Sequence, residues 1–181
     1  SEGISLDSLE DCYFSINILA GLLSDKKGYD IDFIRLGFNF IDQLNNNFYY
    51  QKARNFAEEM LKYYCDKGES PLIRWIFQMR CFTKQNNIHD AACYAALLLS
   101  VVDTYGPLES ELHFEICYNL MLFHRARRDE EDTNIFFEVL KEITKDDYEL
   151  QKIHLSYYMG LVTTNRENLR DGITQIKNYL S

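Results

Sequence analysis

The amino-acid sequence predicts an all-α fold of about nine antiparallel helices in a single domain, and three observations carry that prediction. Apolar residues recur at three and four spacing along nearly the whole chain, which is the helical period, and the alternation of a half-buried strand is absent over any useful length. Turn signals interrupt the pattern every 15 to 25 residues. Breakers are scarce elsewhere, with 2 prolines and 8 glycines among 181 residues.

The turns delimit the elements in order. Ser24-Asp25-Lys26-Lys27-Gly28 closes a helix over 6–23, and Asn45-Asn46-Asn47 separates 31–45 from 48–65. Asp66-Lys67-Gly68-Glu69-Ser70 ends the latter, and Ser70-Pro71 opens 71–85 with a capping hydroxyl before a proline whose missing N–H is harmless in a first turn. Gln85-Asn86-Asn87 leads into 88–104, and Gly106-Pro107 starts 108–127 in the same manner as Ser70-Pro71. At Arg125–Asp132 the charge changes sign across a turn, bases completing one helix and acids starting 130–144, as the helix dipole favours. Lys145-Asp146-Asp147 and Thr164-Asn165 then bound 148–164 and 167–180.

Composition narrows the functional classes. The length suits one domain able to bury roughly 70% of its unfolded surface, and 13 tyrosines and 12 phenylalanines exclude a disordered chain. Formal charge is −9, which argues against a nucleic-acid face. No apolar run approaches the roughly 18 residues of a membrane span. Cys12, Cys65, Cys81, Cys93 and Cys117 are odd in number, lack a CxxC pair and lie mostly among apolar neighbours, which predicts free thiols in a reducing, cytoplasmic setting. The chain begins at Ser1 rather than Met, which reads as an excised piece or a processed product.

Catalytic motifs do not emerge. There is no GxSxG, phosphate loop or HExxH. Glu58-Glu59 and Asp146-Asp147 point in different directions on a helix, which makes poor acid–base pairs. His113, Cys117, Met121 and His124 share a stripe, but seven residues separate Cys117 from His124, about 10 Å along the axis and too far for one ion. The expectation is a non-enzymatic protein with no metal and no cofactor.

The helices also repeat. Ala53, Ala57, Met60 and Leu61 match Ala91, Ala95, Leu98 and Leu99, then Asp132, Phe136, Val139 and Leu140, and finally Gly172, Ile176, Tyr179 and Leu180, at separations of 38, 41 and 40 residues. Twelve residues upstream of the anchors lie Ile41, Met79, Leu120 and Gly160. With Trp75 as an early aromatic and Ala53, Ala91 and Gly172 as small residues at the start of second helices, the pattern resembles the tetratricopeptide repeat. Ile41, Met79, Leu120 and Asp132 depart from its small-residue positions, so the repeats are degenerate. The resemblance implies a right-handed superhelix of about four helix pairs over 31–181, with 1–30 as an N-terminal cap or half repeat.

In such proteins the first helices line a concave groove that holds a protein or peptide segment. Carried over, its positions are Arg35, Phe38, Asp42 and Asn45, then Ile73, Ile76, Arg80, Thr83 and Lys84, then Phe114, Cys117, Met121, His124 and Arg125, and finally His154, Tyr157, Leu161, Thr164 and Asn165. The implied groove has an apolar centre and a basic or amide edge. The same apolar residues equally suit packing against a neighbouring helix or a twofold partner. Two other roles follow from related patterns. Tyr157-Tyr158-Met159-Gly160 with Asp171-Gly172-Ile173 and Ile176 is similar to the last repeats of Rgg-type pheromone-responsive regulators, which implies a peptide-sensing domain lacking its DNA-binding part. A homodimer or an obligate assembly subunit, its groove filled by a neighbour, is the third.

Overall fold

The computed structural model describes residues 31–65, 72–105 and 110–164. The expected helices 6–23 and 167–180, the cap over 1–30, and the Ser70-Pro71 and Gly106-Pro107 starts lie outside the described residues. Within them the chain is all-helical: α1 Ile31–Asn46, α2 Tyr50–Cys65, α3 Leu72–Lys84, α4 Ile88–Tyr105, α5 Ser110–Ala126, α6 Glu130–Thr144 and α7 Tyr148–Thr164. None of these helices is long and apolar enough to cross a membrane.

Three of the turns are built alike. After α1, the Phe48 N–H donates to the Asn45 carbonyl (3.1 Å) and the Tyr49 N–H to the Leu44 carbonyl (2.9 Å). Asn86 and Asn87 repeat this after α3, donating to Thr83 and Phe82, and Arg128 and Asp129 repeat it after α5, donating to Arg125 and His124. This 5→2 and 6→1 pairing satisfies the last carbonyls of a helix but requires a left-handed residue just past its end. Phe48, Asn86 and Arg128 supply it with φ of 65°, 56° and 62°. The helix expected over 48–65 begins two residues later, at Tyr50, because a phenylalanine gives no sign of a left-handed position.

In the second and third of these turns the residue after the left-handed one caps the next helix. Asn87 Oδ1 accepts from the Asp90 N–H (3.4 Å) and Asp129 Oδ1 from the Asp132 N–H (3.2 Å), the N-cap bonds that these side chains favour. The acids Glu130, Glu131 and Asp132 follow in the first turn of α6, as the charge reversal predicts. From Tyr49 to Asn87 is 38 residues, and from Asn87 to Asp129 is 42. Thr133, not Asp132, therefore stands where Ala53 and Ala91 stand, and Leu140 where Leu98 stands. One residue of register corrects the third expected match and restores a small side chain at its anchor.

Helices pack in chain order, and the first helices of successive pairs also touch: α1 lies against α2 and α3, α3 against α2, α4 and α5, and α5 against α4 and α6, with α7 on α6. Ala53 and Ala57 of α2 and Ala91 and Ala95 of α4 are buried, and their small side chains allow close approach. One core joins α1 to α4 with Leu112, Ile116, Leu120 and Phe123 of α5. A second gathers Phe114, Cys117, Tyr118, Met121 and Leu122 of α5 with Leu140 and Leu150. From Leu112 to His124 every residue but His113 is buried, so α5 has almost no solvent face and separates the two cores.

The left-handed positions give a direct test. A non-glycine residue costs about 1–2 kcal/mol there, and Arg128 is exposed, so removing its side chain loses little packing. Arg128→Gly is expected to raise stability in urea denaturation by about 0.5–1 kcal/mol, after the extra chain entropy of glycine. Asn86→Gly should change it by no more than about 0.3 kcal/mol, since asparagine tolerates the conformation.

Candidate functional site

The face made by the first helices, where the sequence places its candidate residues, is organised by charge. Arg80 rises from α3 and is 9% exposed. Its Nε and Nη2 donate to Asp42 Oδ1 and Oδ2 of α1 (3.1 and 2.7 Å), a two-point fork, and Nη1 donates to Asn119 Oδ1 of α5 (3.1 Å). The Asn119 amide is oriented for this because its Nδ2 donates to the Glu115 carbonyl (2.7 Å). Phe38 and Tyr118 flank the guanidinium, 5.0 and 6.0 Å from their ring centroids. Burial works against the Arg80 charge, but Asp42 outweighs it and holds the group above its ordinary pKa.

A second pair lies one helix turn away on α5. Arg35 Nε donates to Glu115 Oε1 (2.7 Å), and the Tyr157 hydroxyl of α7 donates to the same oxygen (3.1 Å). Glu115 is fully buried. Burial raises its pKa, opposed by Arg35, Arg80 and Tyr157. Burial, with the Glu115 charge, likewise raises Tyr157, which stays a donor at neutral pH. Four helices that are distant in sequence are thus tied by one chain of charged and polar groups.

Most of the remaining candidates fall into the interior. Phe38 and Ile76 belong to the first core, and Phe114, Cys117 and Met121 to the second. His154 is buried with the Phe114 and Phe137 rings edge-on to it, each at 5.8 Å. His124 stacks on Phe136, and Asn45 Oδ1 accepts from Gln85 Nε2 (3.0 Å). The apolar centre is a packed seam between helices, one of the two placements open to it in the sequence. Its basic edge is mostly neutralised: Arg35 pairs with Glu115, and Arg80 and Lys84 with Asp42, the last at 3.8 Å. Arg125 is half-buried, and Asn165, with the side chains of Leu161 and Thr164, lies outside what is described.

Glu115, Tyr118 and Asn119 were not singled out from the sequence. The available signal was an acid and an amide inside the apolar run Phe114–Phe123, where an unpaired charge would be prohibitive. Cys81 and Cys117 are buried free thiols, pushed up to about 11 and about 12 by burial. At neutral pH both are protonated and behave as small apolar groups.

Two outcomes follow. Removing one member of the Arg80–Asp42 pair strands the other, so Asp42→Ala should cost about 3 kcal/mol or more in denaturant unfolding. Arg80→Met combined with Asp42→Leu should cost less than the sum of the single changes by about 1–3 kcal/mol. The second outcome concerns His154, whose pKa burial lowers to about 4. The unfolded chain takes up the proton near pH 6.5, so the stability from the neutral imidazole is complete above that pH and is lost as pH falls towards about 4. Glu115, with its raised pKa, acts in the opposite sense over the acid range. The comparison is therefore between wild type and His154→Leu: the difference in unfolding free energy should fall by up to about 1.4 kcal/mol per pH unit below 6.5 and be flat above it.

Set beside known proteins, no family model, curated protein or solved structure matches the chain.

Proposed function

We propose that the chain is a non-enzymatic scaffold, a stack of degenerate tetratricopeptide-like hairpins in a right-handed superhelix that holds a protein or peptide segment. The recurrence of one turn three times, at 38 and 42 residues, supports repeated hairpins, each presenting the same backbone frame to the next. Arrays of this kind expose extended surfaces suited to partners rather than a single deep cleft.

The partner contact is assigned away from the seam. Phe38, Ile76 and Phe114 are held inside by their neighbours, so the contact falls to apolar side chains that the fold leaves in water. Phe48 carries this reading. It is 78% exposed at a left-handed φ of 65°, while the equivalent turn positions hold the polar Asn86 and Arg128. A large aromatic there carries both a backbone cost and an exposure cost that the turn itself does not require. Tyr50 extends the patch, its ring 6.1 Å from that of Phe48. Aromatic anchors of this type concentrate binding energy at protein interfaces.

Affinity capture from the native source, with the full chain as bait, tests the assignment. Phe48→Asn keeps a residue suited to the left-handed turn, so its thermal unfolding should match wild type while recovery of the specific partner drops by about tenfold or more, as for a typical hot spot. Arg128→Asn, the same change at the equivalent turn, should leave capture intact. Phe114→Ala should instead lower stability by about 3–5 kcal/mol. Unchanged capture by the Phe48 variant would remove this residue from the interface. Light scattering on serial dilution separates a scaffold from an obligate assembly subunit, which would keep its oligomeric mass.

A further inference from the structure

The third turn differs from its two counterparts in a way its backbone does not require. Its helix-end, cap and third-helical positions are His124, Asp129 and Asp132. The same positions hold Leu44, Tyr49 and Lys52 in the first turn, and Phe82, Asn87 and Asp90 in the second. In the second turn the cap closes on itself, since Asn87 Nδ2 donates to Asp90 Oδ2 at 2.7 Å. In the third, both partners are carboxylates. Neither has a proton to offer the other, and two like charges face one another across the start of α6.

The group completing this cluster is a histidine. His124 is 5% exposed, fixed by stacking on Phe136 (5.4 Å, 14°) and by an edge contact with Phe123 (5.1 Å). Its Nδ1 is buried and makes no hydrogen bond. That atom points into the carboxylates, 3.6 Å from Asp132 Oδ2 and 3.9 Å from Asp129 Oδ2, and the three atoms lie within 4.8 Å of one another. These distances are too long for hydrogen bonds. They lie near the about 3.4 Å that separates two ligands bound at 2.0–2.2 Å to one tetrahedral ion. Asp129 keeps its other oxygen on the Asp132 N–H, so occupying Oδ2 leaves the cap intact. Both carboxylates are partly open to solvent, at 31% and 45% side-chain exposure, which gives an ion a path in.

We propose that His124 Nδ1, Asp129 Oδ2 and Asp132 Oδ2 form a three-ligand site for a first-row transition-metal dication of the Zn2+ type, with water completing the coordination. One imidazole and two carboxylates suit such an ion, while Mg2+ and Ca2+ take all-oxygen sets. A bound ion relieves the carboxylate repulsion and clasps the end of α5 to the start of α6. Only His124 of this group belongs to the α5 stripe, because Asp129 and Asp132 lie beyond the turn.

Calorimetric titration of the metal-stripped full chain with ZnCl2 tests the site, with MgCl2 and CaCl2 in parallel. The expected result is one Zn2+ per chain, a rise in melting temperature with added Zn2+, and no saturable heat from the other two ions. Asp132→Asn, at a half-exposed position, and His124→Phe, which copies the neighbouring turn, should each weaken binding by at least about tenfold while circular dichroism stays helical. Cys93→Ser and His113→Gln should leave affinity within about twofold, well under the tenfold of 1.4 kcal/mol. Absence of saturable Zn2+ binding at millimolar concentration overturns the proposal. So does binding that survives Asp132→Asn and His124→Phe, or that Cys93→Ser or His113→Gln abolishes, because the ion would then sit elsewhere.

Discussion

The guanidinium of Arg80 is the constraint on which the arrangement of the first helices depends. Buried between two rings, it is tolerable only while Asp42 and Asn119 both reach it, because an uncompensated buried charge costs more than most single contacts supply. Asp42 is on α1 and Asn119 on α5, so the arginine of α3 fixes both neighbours in rotation and in height. A lysine would satisfy this poorly. Only a planar fork can meet both carboxylate oxygens, keep a third donor for the amide and present a flat face to Phe38 and Tyr118. The seam between the first helices is therefore closed by a directional interaction as well as by apolar contact.

That seam is carried by α5, which lies between two cores and answers to both. Its apolar residues divide by face, Ile116 and Leu120 towards α1–α4 and Phe114 and Met121 towards α6 and α7. A helix so enclosed has nowhere to place a charge unless a partner comes to it. Glu115 is met by Arg35 from one side and Tyr157 from the other, and this pair spans the boundary between the cores. The charge of −9 thus coexists with an interior whose basic groups are consumed by internal acids. No locally basic rim is left at Arg35, Arg80 and Lys84 for an acidic partner.

The parts of the fold that were legible in the sequence are those that depend on neighbours in the chain. Asn45-Asn46-Asn47, Gln85-Asn86-Asn87 and Arg128-Asp129 are legible as turns because such residues bond local backbone, as Asn47, Asn87 and Asp129 do with groups three or four residues away. Long-range pairing leaves no such trace. Arg80 finds Asp42 across 38 residues and Arg35 finds Glu115 across 80, and nothing local distinguishes a lysine or arginine destined for an ion pair from one on a wet rim. Periodicity has a similar blind spot. It shows that Phe38, Ile76 and Phe114 share the inner side of their helices, but a groove floor and a helix seam are written with the same residues.

The three matching turns offer a way past that ambiguity. Each imposes the same backbone: a left-handed residue, a cap, and a third-helical position whose N–H needs an acceptor or water. What the backbone demands is therefore common to all three, and side chains that differ at equivalent positions answer to something else. Asn86 and Asn87 show what the turn alone asks for, an amide that accepts the left-handed conformation and a cap that closes on Asp90. Phe48 and the His124–Asp129–Asp132 group are the departures from that standard. One is aromatic in water and the other anionic around a buried nitrogen. Neither is explained by helix termination, because Asn86 and Asn87 complete the same backbone without an exposed aromatic and without a second carboxylate left unbonded.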